Sequence, residues 1–225
     1  MSVYTGPEYN PPKRSVAKRK VSVASTQHFC GQTVVPDGEN GRIIVTESHL
    51  EFVWAIYLLT LPWVQTLEEQ VLFMWVNDAS ERVEKYFDFV IVTTDGRRIA
   101  CEVKPVIRLE SGRVVNELSQ IAAQIGGTFD EVRLLTDEGL DAISRFNAET
   151  IYAMRGADAE ADLAAEAVIG QLIGASTLAD MTRCIGLGSR GMRALVRKIG
   201  KREITLCEHQ RICGKSFVRK TGVSQ

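Results

Sequence analysis

Two apolar, β-rich runs flank the Asp95-Gly96 pair within the stretch KYFDFVIVTTDGRRIACEVKP, residues 85–105. Such runs around an Asp-Gly pair predict a β-hairpin. The length of the loop decides which side chains share a face, because side chains on a strand point alternately to its two sides. A two-residue turn formed by Asp95 and Gly96 alone would set Asp88 opposite Val103.

A three-residue loop gives a different register. With residues 94–96 in the loop and Gly96 in the left-handed conformation, Asp88 faces Glu102 and Lys104 lies two places along on the same side. The apolar side chains then share the opposite face: Phe87, Phe89, Ile91, Ile99, Cys101 and Val103. We expect this register, a type I turn closed by a glycine bulge, because the apolar pattern and the grouping of charges agree on it.

The sequence before the hairpin predicts a strand, a buried helix and further strand structure. RIIVT at 42–46 is typical of a short strand. Ser48 is a suitable helix N-cap, Glu51 follows at the capping-box spacing, and the apolar run continues to Leu61. Pro62 ends this helix or begins the loop after it. WVQTLEEQVLFMWV alternates loosely and predicts one or two strands.

The sequence after the hairpin becomes helical towards its end. Residues 116–126 and 132–136 predict a helix and a short strand, and a polar, alanine-rich region follows near 138–165. Three short helical patterns come next: AAEAVIGQLIG, TLADMTRCIGL and SRGMRALVRKIG. KREITL and ICGKSFVRK are then expected to pair as strands. A helix-turn-helix followed by a hairpin is a winged-helix arrangement.

Composition divides the 225 residues into three parts. Residues 1–27, rich in Pro, Ser, Lys and Arg, predict a basic flexible arm that is mobile or ordered by a partner. Residues 28–158 predict an α/β domain with a mixed sheet, and residues 159–225 a small winged-helix domain. No apolar run is long enough for a bilayer, and the five scattered cysteines favour reduced thiols. We therefore expect a cytoplasmic protein that has no membrane partner.

The net charge of −1 conceals an asymmetry along the chain. Residues 1–20 carry a net charge of +4, residues 183–225 carry +9, and the middle carries −14. Basic ends suit phosphate contacts and an acidic centre suits cations, although a solvated tail and a solubilising surface produce the same pattern.

The facing carboxylates of Asp88 and Glu102 are the candidate chemistry. Unit charges about 4 Å apart repel by about 4 kcal/mol at an effective dielectric near 20, which is tolerable when the pair binds a cation. Carboxylate oxygens suit Mg²⁺ or Mn²⁺, and such an ion can activate a water and neutralise charge on a scissile phosphate. Lys104 is suited to position that water or stabilise the charge, and Glu51 to supply a further carboxylate. The alternative is a surface strand pair with ordinary charges. The apolar residues on both sides of Asp88 and Glu102 count against it, because charges within near-continuous apolar strands need a reason.

Other residues are candidates for supporting roles. Gln70 is suited to contact the water shell of the metal or a phosphate, or alternatively to cap a strand edge. In the carboxyl-terminal domain, four basic residues share a broad face of the predicted recognition helix: Arg190, Arg193, Arg197 and Lys198. That face suits contact with a DNA backbone, although such faces are also common as plain solvated surfaces.

The order of these features resembles the PD-(D/E)XK nuclease superfamily, and more closely the amino-terminal domain of TnsA-like transposon-end endonucleases. The signatures ES-x-LE, eQP, pDF and EvKP of that family match at Glu47–Glu51, Glu69–Gln70, Asp88–Phe89 and Glu102–Pro105. Val71 and Phe87 stand where the family usually has proline. The match covers residues 10–136, and the carboxyl-terminal domain is similar to the second domain of full-length members by pattern alone.

The resemblance implies a restriction-endonuclease-like core whose catalytic residues are Glu51, Asp88, Glu102 and Lys104, with Mg²⁺ (or Mn²⁺) bound by the three carboxylates. It also implies cleavage of one DNA strand at the 5′ ends of a transposon, together with a TnsB-like transposase and a TnsC-like ATPase. The carboxyl-terminal domain would either bind DNA or bind this ATPase. Two alternatives stay open. One is a stand-alone or phage-encoded nuclease with the same site, and the other is a non-catalytic DNA-binding or assembly subunit of the same fold.

Overall fold

The computed structural model describes residues 11–19, 30–35, 37 and 40–222, a mixed α/β protein that divides into two compact units. The amino-terminal unit contains the described residues up to Ala55 and those from Trp63 to Asp137; the carboxyl-terminal unit contains residues 56–62 and those from Glu138 onwards. The division therefore lies earlier than the predicted boundary at 158. Helix α3 (Ala142–Ala153) is the reason, because its residue Ile151 packs on the core of the carboxyl-terminal unit.

The amino-terminal unit is built around a four-stranded mixed sheet. Its elements are β1 (Gly31–Val35), β2 (Arg42–Thr46), α1 (His49–Thr60, which begins in this unit), β3 (Val64–Val76), β4 (Arg82–Thr93), β5 (Arg98–Val103), a 3-10 turn (Val106–Arg108), α2 (Arg113–Ala122) and β6 (Glu131–Leu135). The sheet order is β3-β4-β5-β6, antiparallel except for the parallel pair β5–β6, and β1 pairs with β2 in a separate sheet. The expected mixed sheet is thus confirmed, and the run WVQTLEEQVLFMWV forms one long strand.

Helix α1 begins as its capping pattern predicts. The hydroxyl of Ser48 accepts a hydrogen bond from Glu51 N at 3.1 Å, and the Glu51 carboxylate accepts in return from Ser48 Oγ at 2.8 Å. These bonds satisfy polar groups that the first turn of a helix otherwise leaves without partners. The cap also turns Glu51 back onto the start of its own helix, which matters for the site described below.

Three phenylalanine rings form the centre of one core cluster on the sheet. Phe87 lies 6.4 Å from Phe73 and 5.6 Å from Phe129 between ring centroids. The cluster also contains Val90 and Ala100. Both have even residue numbers, so regular alternation would place them on the face opposite to Phe87. The prediction that Phe87 shares a face with the odd-numbered residues 89 and 91 is therefore wrong, because regular alternation breaks between Phe87 and Val90.

Part of the predicted arm lies against the amino-terminal unit. Residues 1–10 and 20–27 of that arm lie outside the described residues. Lys13 N donates to Gly41 O at 2.9 Å, and Ile43 N donates to Lys13 O at 2.9 Å. Further along, Lys18 N donates to Gln70 O at 3.2 Å. The described part of the arm, residues 11–19, thus follows β2 and β3 through backbone hydrogen bonds.

The carboxyl-terminal unit combines helices with a small antiparallel sheet. Its elements are α3 (Ala142–Ala153), α4 (Ala159–Gln171), β7 (Ala175–Thr177), α5 (Leu178–Ile185), α6 (Ser189–Gly200), β8 (Ile204–Leu206) and β9 (Phe217–Lys220), with the sheet order β7-β9-β8. The three helical patterns and the pairing of β8 with β9 were predicted, whereas α3 and β7 were not. Among the helices of the described residues, none has both the length and the apolar character needed to cross a bilayer.

Candidate functional site

The hairpin between β4 and β5 has the register that the three-residue loop predicts. Thr93 N donates to Arg97 O at 2.9 Å, and Gly96 N donates to Thr93 O at 2.9 Å. Gly96 takes a φ of +86°, a conformation that is strained for residues with a β-carbon. The ladder then runs from this turn to the pair Phe89–Cys101. The prediction of a type I turn closed by glycine is confirmed, and the next opposed positions are 88 and 102.

Asp88 and Glu102 lie where the β4–β5 ladder ends. Beyond the last pair of the ladder, the next backbone donor of β5 bonds to a side chain: Val103 N donates a hydrogen bond to Oδ2 of Asp88 at 2.7 Å. Both residues are buried, with only 6% of Asp88 and 3% of Glu102 exposed. Oε2 of Glu102 is buried and has no hydrogen-bond partner within the described part of the chain. Two carboxylates are therefore held close together at the end of a strand pair, away from bulk water.

Two lysines supply the positive charge beside these carboxylates. Lys104 Nζ lies 2.9 Å from Glu102 Oε1 and 3.8 Å from Asp88 Oδ2. Lys85 Nζ lies 3.1 Å from the same Glu102 oxygen and 3.2 Å from Glu117 Oε1 on α2. Lys85 was not predicted as a site residue. Its only sequence signal is a lysine inside the β4 run, too common a feature to be recognised without the tertiary contacts.

Glu51 lines an open cavity of about 510 Å³ together with Lys104 and the loop that follows β5. Its own oxygens are engaged at the helix start, where Oε2 accepts from Glu47 N at 2.7 Å and Oε1 from Ser48 Oγ. Burial raises the pKa of Glu51 against the opposing effect of the Lys104 ammonium, and the charge of Glu51 adds to the rise that burial and Glu102 cause in the pKa of Asp88. The structure therefore places Glu51 within electrostatic reach of the pair, with its oxygens turned to its own helix.

Burial is the main cause of the unusual electrostatics at the site. Loss of hydration and the neighbouring Glu102 carboxylate raise the pKa of Asp88 to about 7, against the opposing effect of Lys104. Burial also raises the pKa of Glu51. Burial alone would lower the pKa of Lys104, but the carboxylates of Asp88 and Glu102 outweigh it and raise that pKa. The pKa values of Asp88, Glu51 and Lys104 are thus all raised, so the site favours the protonated form of each of these groups.

We expect Asp88 to make the protein in chelating buffer less stable as the pH rises from about 4 to about 7. Its pKa is about 7 in the folded protein and about 3.9 in an unfolded chain. Between these values the folded state holds a proton that the unfolded state has released, so raising the pH favours unfolding. The loss is on the order of 4 kcal/mol. Urea denaturation at several pH values measures it, and an Asp88→Asn variant with the same pH dependence as the wild type would show the prediction to be wrong.

The donor set at the site fits a hard divalent cation in part. Asp88 and Glu102 bring buried carboxylate oxygens together, one of them without a partner, and such oxygens are the ligands that Mg²⁺ and Mn²⁺ prefer. Across residues 11–19, 30–35, 37 and 40–222, however, no three His, Cys, Asp or Glu side chains are arranged to hold a metal ion. Asp88 and Glu102 supply two adjacent carboxylates, whereas the oxygens of Glu51 accept hydrogen bonds at the start of its own helix.

Gln70 lies across the β3–β4 ladder from Asp88, between the pairs Glu69–Phe89 and Val71–Phe87. It takes a φ of +49°, uncommon for a residue with a side chain. Arg19 of the amino-terminal segment donates to its Oε1, from Nε at 3.2 Å and from Nη2 at 2.9 Å. The amide Nε2 is buried and has no partner among the described residues. Gln70 is therefore close to Asp88 along the ladder and bound to the amino-terminal segment, and its contact with a metal's water shell or a phosphate stays a prediction.

The four basic residues of α6 are not presented together to solvent. Arg197 and Lys198 are 7% and 1% exposed, and carboxylates surround both. Arg190 is exposed but bound at 2.8 Å by both oxygens of Asp158. Their further partners are Asp162 for Arg197, Glu166 and Glu203 for Lys198, and Glu160 for Arg190. The expected common face is corrected for Arg197 and Lys198, which are buried in ion pairs, and only Arg193 stays exposed without an ion pair in the described chain.

No family model matches this chain, and no curated protein matches it at a significant level.

Proposed function

We propose that the protein is a metal-dependent DNA endonuclease of the TnsA-like type that hydrolyses a phosphodiester at transposon ends. One observation carries the proposal. Asp88 and Glu102 are buried together at the end of the hairpin, and Lys104 lies beside both. Buried like charges are unfavourable, so a structural role alone gives no reason to place them there. Binding a divalent cation does give a reason.

The order of elements supports this proposal. The amino-terminal unit has a helix, three antiparallel strands, a second helix and a parallel strand, in the order of the motifs that resemble the nuclease family. We infer a restriction-endonuclease-like core from this order. In the carboxyl-terminal unit, α4, β7, α5, α6, β8 and β9 follow one another, and the three strands form one antiparallel sheet. From this order we infer a winged helix, with α6 in the place of the recognition helix.

The residues of the site have separate roles in the proposed reaction. Asp88 and Glu102 would hold Mg²⁺ or Mn²⁺, and Glu51 would join them when its side chain leaves its cap. The ion would lower the pKa of a bound water and neutralise charge on the phosphate. Lys104 stays protonated because of the carboxylates around it, so its ammonium can orient the nucleophile or stabilise the developing negative charge. Burial of the carboxylates keeps these interactions strong by excluding water.

The partners of the proposed reaction follow from the resemblance alone. A TnsB-like transposase would cut and join the other strand, and a TnsC-like ATPase would regulate both proteins. A stand-alone nuclease and a non-catalytic subunit are the alternatives. The paired carboxylates and Lys104 favour catalysis over the non-catalytic alternative, because an assembly subunit has no use for buried carboxylates of like charge.

Cleavage of a DNA that carries transposon ends tests the proposal. We expect nicking in Mg²⁺ or Mn²⁺, none in EDTA, and a loss of at least about a hundredfold in Lys104→Ala, because one positioned charge at a reacting phosphate contributes that much. Lys215→Ala, which removes an exposed lysine of the carboxyl-terminal unit, is the matched control and should cut normally. The assay is run with the chain alone and together with a TnsB-like transposase and a TnsC-like ATPase. Absence of cutting in both settings, or normal cutting by Lys104→Ala, would contradict the proposal.

A further inference from the structure

Two arginines, one in the loop between β5 and α2 and one at the start of α2, line the cavity that Glu51 and Lys104 also line. Arg108 ends the 3-10 turn, and Arg113 begins α2. Both side chains belong to exposed residues and line that one cavity. Two positive charges therefore line the same cavity as Lys104, the lysine that lies beside both buried carboxylates.

The loop is held by hydrogen bonds along its length. Lys104 N donates to Leu135 O at 3.0 Å, and Val106 N donates to Asp137 Oδ1 at 2.8 Å. Within the loop, Gly112 N donates to Leu109 O at 2.9 Å. A loop fixed in this way holds its side-chain attachment points in place before a ligand arrives, which reduces the entropy cost of binding.

Neither arginine has an acidic partner. Arg108 and Arg113 form no ion pair or hydrogen bond through their guanidinium groups in the described residues. By contrast, four other arginines of this unit are paired with carboxylates: Arg19, Arg42, Arg97 and Arg133. Of the acidic residues that line the cavity, Glu117 is paired with Lys85 and Glu51 is engaged at its helix cap. The two guanidinium groups are therefore available to an anion.

We propose that Arg108 and Arg113 form a subsite for a backbone phosphate of DNA, next to the phosphate that is cleaved. This inference rests on the proposed function and adds to it the residues that grip the strand. Guanidinium groups bind phosphate oxygens through paired hydrogen bonds, and such contacts position the backbone without reading its sequence. The arginines share the cavity with Lys104, whose ammonium lies 2.9 Å from Glu102 and 3.8 Å from Asp88. A strand held by the arginines would therefore bring a neighbouring phosphodiester towards these carboxylates.

Binding of a short fluorescent DNA duplex to the full-length chain, in EDTA and at several salt concentrations, tests the subsite without cleavage. We expect the Arg108→Ala/Arg113→Ala variant to bind about tenfold more weakly, on every duplex sequence, and the salt dependence of log K to fall by about one for each arginine removed. Arg82→Ala is the matched control, because Arg82 is exposed, unpaired in the described chain and not among the residues that line the cavity shared by Arg108 and Arg113. Arg113→Lys should restore part of the affinity of Arg113→Ala.

Cleavage in Mg²⁺ provides the second measurement. We expect the double variant to have a raised KM and a kcat close to that of the wild type. The subsite would be overturned, even in a chain that cuts DNA normally, if the wild type and the double variant bound DNA with equal affinity and equal salt dependence. A loss of affinity of the same size in Arg82→Ala would also overturn it. Weakened binding by the double variant in a chain that never cuts would support the subsite while contradicting the nuclease. An unchanged melting temperature of the double variant confirms that its fold is intact.

Discussion

Replacing Asp88 with asparagine is expected to lower metal-dependent nicking at least about a thousandfold while the protein stays folded. Loss of one carboxylate weakens the hold on the cation that activates water and neutralises the phosphate. The fold should survive because an asparagine oxygen can still accept the hydrogen bond that Val103 N donates to Asp88 at 2.7 Å. Asparagine also removes a buried carboxyl group whose pKa is raised to about 7. In chelating buffer at neutral pH, the variant should therefore be at least as stable as the wild type.

The control for this prediction is a carboxylate of the same strand outside the site. Glu84 is exposed on β4, so Glu84→Gln removes the same charge from the same element and should leave nicking unchanged. The measurements are the initial rate of nicking of supercoiled DNA and the binding of Mn²⁺ by calorimetry. Asp88→Asn that nicks at the wild-type rate, or binds Mn²⁺ as tightly as the wild type, would exclude Asp88 as a ligand.

Replacing Glu69 with alanine is expected to lower the free energy of unfolding by about 3 to 5 kcal/mol. Glu69 is fully buried, and its Oε2 lies 2.6 Å from Nη1 of Arg42, whose side chain is only 7% exposed. The same guanidinium also donates to Leu67 O, which joins β2 to β3. Removing the carboxylate leaves Nη1 of a buried guanidinium without its charged partner, and the remaining carboxylate, Asp37, contacts only Nε at 3.1 Å and is itself 35% exposed. Losing one partner of a buried ion pair costs more than the pair itself contributes.

Urea denaturation measures this loss, and two further variants show its origin. Lys13→Ala breaks an ion pair with Asp37 that is 60% exposed at the lysine, so it should cost less than about 1 kcal/mol. Arg42→Met/Glu69→Leu replaces both buried charges with apolar groups and should recover most of the stability that Glu69→Ala loses. A double variant no more stable than Glu69→Ala would show that the pair contributes more than mutual neutralisation.

The register of the β4–β5 hairpin could be predicted from the sequence because it is local. A loop length, one glycine in the left-handed conformation and the two-residue period of a strand predict that positions 88 and 102 oppose each other, and the structure has this register as far as the pair Phe89–Cys101. The helix cap at Ser48 and Glu51 is equally local and was predicted for the same reason. Interactions within a few residues along the chain leave a pattern that the sequence displays directly.

Contacts between distant segments could not be predicted in this way. Lys85 joins the site through Glu102 and Glu117, and Arg19 reaches Gln70 from another part of the chain. The basic face of α6 shows the same limit. Helical spacing indicates which residues share a side, but it does not show that carboxylates of α4 cover Arg197 and Lys198.

The sequence by itself determined the mixed α/β class, the hairpin that opposes Asp88 and Glu102, and the pairing of the last two strands, since each depends on short-range periodicity and turn chemistry. Only the tertiary structure decided which charges are buried and which cations accompany the carboxylates. Burial and charge pairing depend on segments that are far apart along the chain, and no local pattern records which of them will meet.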